Sequence, residues 1–217
     1  MLYNPKQLQI IAVAERLFAA KGFSATSIRD ISQEADINVS MVSYYFGSKE
    51  KLIEAVFEVR AKDFQSRLSD LLSNQDLSPF QRVNMMLDGI ISRVFENYCF
   101  HNIVIREQLS TDCRTPVISD LLQELKLNNL MAMESIIKDG QSLGAFATDV
   151  DIPLLSTTLF GTINQALSTK HFFSIVYGLE TLPPDAQDAY MVDKLRTHLK
   201  KLFRAMLTPE LSSPVDS

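Results

Sequence analysis

Side chains that can hydrogen-bond to phosphate or to the edges of DNA bases are concentrated between residues 38 and 51. These fourteen residues include three serines, two adjacent tyrosines and two lysines. Hydroxyl groups can donate to or accept from base edges and phosphates, and lysine ammonium groups pair with phosphate. The segment therefore has the chemistry of a nucleic-acid contact.

Two helices are predicted to precede this segment. A period near 3.6 residues predicts the first from about Pro5 to Lys21, with Gly22 as a left-handed stop. Thr26 or Ser27 can cap a second helix of about two turns. With two helices before it, the polar segment is predicted to form the third helix of a small bundle.

The third helix has the length and turn of a recognition helix. Asn38 can cap it, and it is expected to end near Phe46 because Gly47 and Ser48 follow. The three helices can bury between them Phe18, Phe23, Ile31, Ile37 and Val42. The side chains then left on the outer face are Val39, Ser40, Met41, Ser43, Tyr44 and Tyr45. Two short helices joined by a tight turn can place such a face in the DNA major groove.

Lys49 and Lys51 stand in the first turn of a fourth helix, where the helix dipole disfavours cations. A DNA phosphate bound at this end would remove the conflict. The alternative is that Glu50 offsets the lysines on a solvated surface. Taken alone, the two interpretations have equal weight, and the preceding helices favour the phosphate.

The remaining chain is also predicted to be helical, because no segment alternates as a strand would. The fourth helix is predicted to reach Leu72, and a loop follows to Pro79. The further helical segments are residues 79–98, shorter pieces to 110, then 115–142, a helix from Asp149 or Asp151 to 167, and 185–207. The fold class is therefore all-α.

Charge separates the N-terminal part of the chain from the rest. The net charge of −5 argues by itself against DNA binding. Residues 1–62, however, contain eight Lys or Arg and seven Asp or Glu, whereas the remainder contains 13 and 19. The acidity lies outside the segment with the candidate contacts.

Motifs of other classes of protein do not occur. No apolar run approaches the roughly 18 residues of a membrane span, and residues 10–14 are too short for an export signal. There is no glycine-rich phosphate loop, nucleophile elbow or paired-histidine motif. Cys99, His101 and Cys113 fit no zinc spacing. We expect a cytoplasmic protein that is not an enzyme and has no metal or cofactor.

Several spaced runs within residues 8–58 resemble the TetR family of bacterial transcriptional regulators. The runs are Ala14 to Phe18, Gly22-Phe23, Ala25-Thr26-Ser27-Ile28-Arg29-Asp30-Ile31, Ala35, and Tyr44-Tyr45-Phe46-Gly47-Ser48-Lys49-Glu50-Lys51-Leu52. The resemblance is specific because the residues and the gaps between them agree together.

The resemblance implies a helix-turn-helix DNA-binding domain at 1–48 and a helical ligand-binding and dimerisation domain at 49–211, with a frayed tail at 212–217. A long helix would join the domains, and the last two long helices would form a homodimer interface. By position, the DNA contacts would fall on Thr26, Ser27, Arg29, Val39, Ser40, Ser43, Tyr44, Tyr45, Lys49 and Lys51.

The sequence departs from the family pattern in two places. Asp36 occupies the turn position that is usually glycine, and Asp tolerates the left-handed conformation less well than glycine but better than most residues. Val42-Ser43 replaces a common Leu-Tyr pair, so no base preference can be carried over.

Residues 79–170 are expected to contain a cavity for a small effector, since Met and aromatic side chains adapt to irregular spaces. Plain core packing is the alternative for each of them. The candidate lining residues are Phe95, Tyr98, His101, Met131, Phe160 and Asn164.

The leading hypothesis is a homodimeric repressor that a small molecule releases from a near-palindromic operator. The alternative is a helical ligand carrier or interaction scaffold that has lost operator recognition. Steep salt dependence and a two-fold symmetric footprint would distinguish the regulator from the carrier.

Overall fold

The computed structural model describes residues 3–73, 76–109 and 116–209, with side chains described outside 63–73. Within these ranges the chain forms ten α-helices and no strand. They are α1 (Pro5–Lys21), α2 (Ile28–Glu34), α3 (Val39–Phe46), α4 (Lys49–Ser73), α5 (Pro79–Glu96), α6 (Tyr98–Leu109), α7 (Pro116–Ser142), α8 (Ile152–Ser168), α9 (Lys170–Val176) and α10 (Pro184–Leu207). The all-α prediction is confirmed.

Capping side chains explain where several helices begin. Asn4 and Gln7 form a capping box at α1, and Ser27 and Asp30 form one at α2. Asn38 Oδ1 accepts the Ser40 N–H at 2.9 Å at the start of α3. These groups satisfy N–H donors that have no partner inside their own helix.

Three details differ from the sequence predictions. Gly22 has φ 88° and ψ 159°, so its φ is positive but it is not a left-handed helical residue. The helix predicted to run from 79 to 98 ends at Glu96, and α6 begins at Tyr98. The short helix α9 was not predicted. Thr115, the predicted start of α7, lies outside the described residues.

The first compact unit consists of residues 1–66 and 97–127. Its apolar core joins α1–α4 to α6 and the first part of α7: Phe18, Ile31 and Val42 share one cluster with Ile103 and Ile118. Ile37, which was also predicted to be buried, is partly buried at its edge. Helices α1–α3 therefore share their core with three later helices, α4, α6 and α7.

The second compact unit consists of residues 67–96 and 128–217. Its core is formed by side chains of α5, the second part of α7, α8 and α10, among them Leu87, Ile137, Leu159 and Phe203. The two units are defined by packing. The predicted functional boundary at residue 48 stays a prediction.

None of the described helices is long and apolar enough to cross a membrane. Among the described residues there is also no group of three or more His, Cys, Asp or Glu side chains that could hold a metal ion. Cys113 lies outside the part of the chain that the structure describes.

Candidate DNA-binding site

The turn between α2 and α3 has the backbone conformation that the sequence indicated. Asp36 has φ 51°, the one positive φ of a non-glycine residue in the described part of the chain. The Ile37 N–H donates to the Ser32 carbonyl at 3.0 Å and closes the turn. This turn connects α2 to the polar helix α3.

Helix α3 has one buried and one exposed face. Val42 and Phe46 are buried in the core of the first unit. Val39 is 39% exposed and Tyr44 84% exposed, and Ser40 and Ser43 are also exposed. Tyrosine is enriched at interfaces because its ring offers a large apolar area and its hydroxyl a hydrogen bond.

Tyr45 and Met41 lie at the edge of the exposed face. Both are partly buried. The Tyr45 ring meets Tyr44 edge to face at 5.3 Å and Phe46 at 6.5 Å. The predicted outer residues of α3 thus lie together, with Met41 and Tyr45 less accessible than the others.

Thr26 is a structural residue in the turn between α1 and α2. Its side chain is 1% exposed, and Oγ1 donates to the Gly22 carbonyl at 2.7 Å. Ser27 is exposed but caps α2: its Oγ accepts the Asp30 N–H at 3.1 Å and donates to Asp30 Oδ2 at 2.6 Å. The Ser27 hydroxyl and the Ser27 backbone N–H both donate to the Asp30 carboxylate and lower its pKa. Arg29 is exposed on α2.

The two lysines of α4 have different surroundings. Lys49 Nζ donates to the carbonyls of Phe23 and Thr26 at 2.9 and 3.0 Å and lies 4.4 Å from the centre of the Phe23 ring. Lys51 is more exposed and pairs with Glu54 at 2.6 Å. Ser48 Oγ accepts the Lys51 N–H at 3.1 Å, so a side chain already caps α4.

The six candidate effector contacts are divided between the two units. Tyr98 and His101 belong to the first unit, and Phe95, Met131, Phe160 and Asn164 to the second. Phe95 and Phe160 pack on the core of the second unit, whereas Met131 is 64% exposed. His101 is 9% exposed, and Tyr98 is 47% exposed. Their role as a pocket lining stays a prediction.

Two polar contacts of the first unit were not predicted. Glu15, 4% exposed, pairs with Arg60, and Arg106 donates to carbonyls at the end of α1. Glu15 stands on the apolar face of α1, and a buried charge needs a partner, so its position could have predicted an ion pair. The sequence carried no comparable signal for Arg106.

The fold and the exposed face of α3 define a DNA-binding transcriptional regulator of the helix-turn-helix class. The family model described as "Bacterial regulatory proteins, tetR family" matches residues 10–56. The HTH-type transcriptional regulator in the lacX 3' region of Lactococcus lactis subsp. lactis is 31% identical over 145 residues, which are 63% of this chain and 73% of that protein. The chain belongs to the TetR family, as its motifs indicated, and members of this family bind DNA operators and form dimers.

Solved structures of similar proteins have the same fold. A putative fatty acid metabolism regulator of Clostridium perfringens is 17% identical, covers 89% of this chain and 97% of its own, and superposes with a TM-score of 0.70. The transcriptional regulator FadR from Bacillus subtilis in complex with stearoyl-CoA is 18% identical, covers 88% and 96%, and has a TM-score of 0.64. At these identities the likeness concerns the fold.

Proposed function

We propose that the protein is a homodimeric repressor that binds a near-palindromic operator through paired α3 helices and releases it when a small molecule binds. It acts in the cytoplasm, where a bacterial operator lies, and catalyses no reaction. The observation that carries the proposal is the face of α3, where Tyr44 is 84% exposed while Val42 and Phe46 anchor the helix from behind. This face favours operator recognition over the alternative of a carrier that has lost it.

We select the proposed operator contacts by the exposure of their side chains. Val39, Ser40 and Ser43 can reach base edges, and the two tyrosine hydroxyls can reach phosphates or bases. Ser27, Arg29 and Lys51 are exposed and would bind the flanking backbone. Lys49 already serves two carbonyls, and the Thr26 side chain is buried. We therefore exclude Thr26 from the proposed operator contacts. We expect Lys49 to contribute less to operator affinity than the exposed Lys51.

The test compares operator binding of the wild type with that of Tyr44→Ala, using duplexes that the full-length protein selects from random DNA. Leu127→Ala removes another exposed side chain, 50% exposed, and serves as the control. Tyr44→Ala should weaken operator binding at least about tenfold, because it removes a ring at the centre of the interface. Operator binding that is unchanged in Tyr44→Ala would refute the interface.

For the dimer, we propose the outer faces of α8 and α10. Leu154 is 62% exposed and Met206 42% exposed, and a Cβ added at the exposed Gly161 would meet nothing within 4 Å. Small and apolar surfaces of this kind allow close approach of two helices. Leu154→Arg should yield monomers in light scattering. Leu143→Arg, in the turn after α7 at a site 69% exposed, should remain dimeric; a dimer in both variants would place the interface elsewhere.

For the effector, we propose a site in the helices of the second unit. Phe160 and Asn164 lie one turn apart on α8, and Asn164 Oδ1 is buried with no hydrogen-bond partner among the described residues. A ligand with an apolar body and a hydrogen-bond donor would suit this pair. Because the Bacillus FadR structure contains stearoyl-CoA, a long-chain acyl-CoA is the first class to test.

Stearoyl-CoA should displace a fluorescent operator duplex from the wild type in an anisotropy titration. Asn164→Leu should require a higher concentration for release, whereas Asn84→Leu, on α5, should behave as the wild type. An operator complex that stearoyl-CoA leaves intact would exclude the acyl-CoA class.

A further inference from the structure

The connection between α1 and α2 is held by two cations that come from later helices. Lys49, the first residue of α4, donates to the Phe23 and Thr26 carbonyls. Arg106, in the last turns of α6, donates through Nη1 to the carbonyls of Ala19 and Ala20 at 3.2 and 3.1 Å. The backbone on both sides of Gly22 is thereby held by side chains from outside α1–α3.

Arg106 occupies the place where α1 has carbonyls without intrahelical donors. The last four carbonyls of a helix have no partner within it, and the negative end of the helix dipole attracts a cation there. The Gly22 N–H satisfies the Phe18 carbonyl at 2.9 Å, and Arg106 takes the two that follow. The guanidinium carbon lies 3.8 Å from where a Gly22 Cβ would be. The arginine thus sits directly against the turn.

The backbone that carries Arg106 is itself anchored in the core of the first unit. Ile103, three residues earlier on α6, is 2% exposed and belongs to the same cluster as Ile10 and Phe18 of α1. Phe100 meets Phe57 of α4 edge to face at 4.9 Å. Helix α6 therefore offers a fixed point from which a side chain can hold the end of α1.

We propose that Arg106 is a positioning residue for operator recognition. By holding the end of α1, it fixes the turn that leads to the Ser27 cap, and the cap fixes the start of α2. Helix α2 and the Asp36 turn then set the direction of α3. This inference rests on the proposed contact face of α3, although Arg106 is not itself one of the predicted DNA contacts.

A positioning role differs from a merely stabilising one in its effect on specificity. Binding to non-operator DNA depends mainly on phosphate charge and tolerates a misdirected α3, whereas operator binding depends on its direction. Partial unfolding would instead weaken binding to both kinds of DNA equally. The ratio of the two dissociation constants therefore separates the roles.

The experiment uses the full chain with Arg106→Met, Arg106→Lys and the control Lys126→Met, which removes one exposed cation of the same unit. Each is titrated with the selected operator duplex and with a scrambled duplex, at a temperature where circular dichroism shows wild-type helix content. For Arg106→Met we expect the specificity ratio to fall about fivefold, as loss of a charged hydrogen bond can produce. For Lys126→Met the ratio should stay at the wild-type value.

Arg106→Lys can keep one hydrogen bond to the carbonyls, so its ratio should lie between those of the wild type and Arg106→Met. If Arg106→Met does not fold, the specificity ratio of Arg106→Lys alone tests the positioning role. A wild-type ratio in the folded Arg106 variants, or an equal fall in Lys126→Met, overturns the inference. If Tyr44→Ala binds the operator normally, the contact face is wrong; if it fails while the Arg106 variants keep the wild-type ratio, only the role of Arg106 is wrong.

Discussion

Glu15 of α1 and Arg60 of α4 form a two-pronged ion pair at the edge of the first unit's core. Arg60 Nε lies 3.0 Å from Glu15 Oε2, and Nη2 lies 2.9 and 2.8 Å from Oε1 and Oε2. The side chain of Glu15 is 5% exposed and that of Arg60 is 31% exposed. The carboxylate therefore depends on the arginine, whereas the arginine can still reach water.

This asymmetry predicts unequal effects of removing either partner. Arg60→Met leaves a buried, unpaired carboxylate and should lower the free energy of unfolding by about 3 kcal/mol, near the lower end for a broken buried pair. Glu15→Gln keeps a hydrogen-bond acceptor beside the partly exposed arginine and should cost about 1–2 kcal/mol. Urea unfolding at one protomer concentration measures both. Equal losses would contradict the asymmetry, and the double variant Glu15→Leu/Arg60→Met should recover part of the loss.

Asp36 at φ 51° predicts a stabilising substitution. Glycine adopts this conformation without a Cβ penalty, so Asp36→Gly should raise the free energy of unfolding by about 0.5–1 kcal/mol. Asp36→Ala should lower it, because alanine has the Cβ without a side chain that bonds locally. Thermal unfolding of the two variants checks the order. Operator affinity should be unchanged in Asp36→Gly; a less stable glycine variant would show that the aspartate side chain is needed in the turn.

The helix-turn-helix could be predicted because its signals are local. Asn38 caps α3, Gly47 follows its last residue, and the alternation of buried and exposed positions needs only eight residues. Helix α9 was missed because it has only seven residues, follows α8 after the single residue Thr169, and has no side-chain cap at its start. The break between α5 and α6 at Asn97 was missed because neither glycine nor proline marks it.

The polar contacts that position the helices could not be predicted in the same way. Glu15 and Arg60 are 45 residues apart, and Arg106 and Ala19 are 87 apart. Such pairs depend on how helices pack, which single-sequence periodicity does not specify. The contacts of Lys49 were not predictable for the same reason. Its position at the start of α4 indicated a phosphate contact, but its ammonium group donates to carbonyls in the turn between α1 and α2.

The two lysines of α4 should therefore respond differently to removal of their charge. Lys49→Met loses two hydrogen bonds to carbonyls and should lower the free energy of unfolding by about 1–2 kcal/mol. Lys51→Met should change stability by less than about 0.5 kcal/mol but reduce the slope of log affinity against log salt by about 1, as loss of one phosphate contact does. Urea unfolding and salt titrations of operator binding check both. If Lys49→Met also reduced this slope by about 1, the Lys49 ammonium group would have to leave the carbonyls and contact a phosphate in the operator complex.

Tyr3 predicts a pH dependence of stability on the alkaline side. Its hydroxyl donates to Glu58 Oε2 at 2.6 Å, and burial, then this hydrogen bond and the Glu58 charge, raise its pKa from 10.0 to about 12. Because the folded protein favours the neutral phenol, the contribution is fully present below pH 10 and is lost as the pH rises through 12. The stability difference between the wild type and Tyr3→Phe should therefore shrink across this range. A difference that stays constant would mean that Tyr3 titrates as it does in the unfolded chain.

Gly140 of α7 leaves room for the ring of Phe146. A Cβ on Gly140 would lie 2.1 Å from Phe146 Cδ2. Phe146 is 2% exposed and meets Phe80 edge to face at 4.8 Å, so its ring cannot move aside without disturbing the core of the second unit. Gly140→Ala should thus lower the free energy of unfolding by about 2–3 kcal/mol through overpacking.

Gly89 supplies the matched control for this substitution, because it is also helical and a Cβ there would meet nothing within 4 Å. Gly89→Ala should raise stability by about 0.5–1 kcal/mol, the ordinary gain of alanine over glycine in a helix. Adding Phe146→Leu to Gly140→Ala should restore part of the loss, since the smaller side chain makes space for the methyl group. A Gly140→Ala variant as stable as Gly89→Ala would show that the ring has another place to pack, and crystal structures of the two variants would locate it.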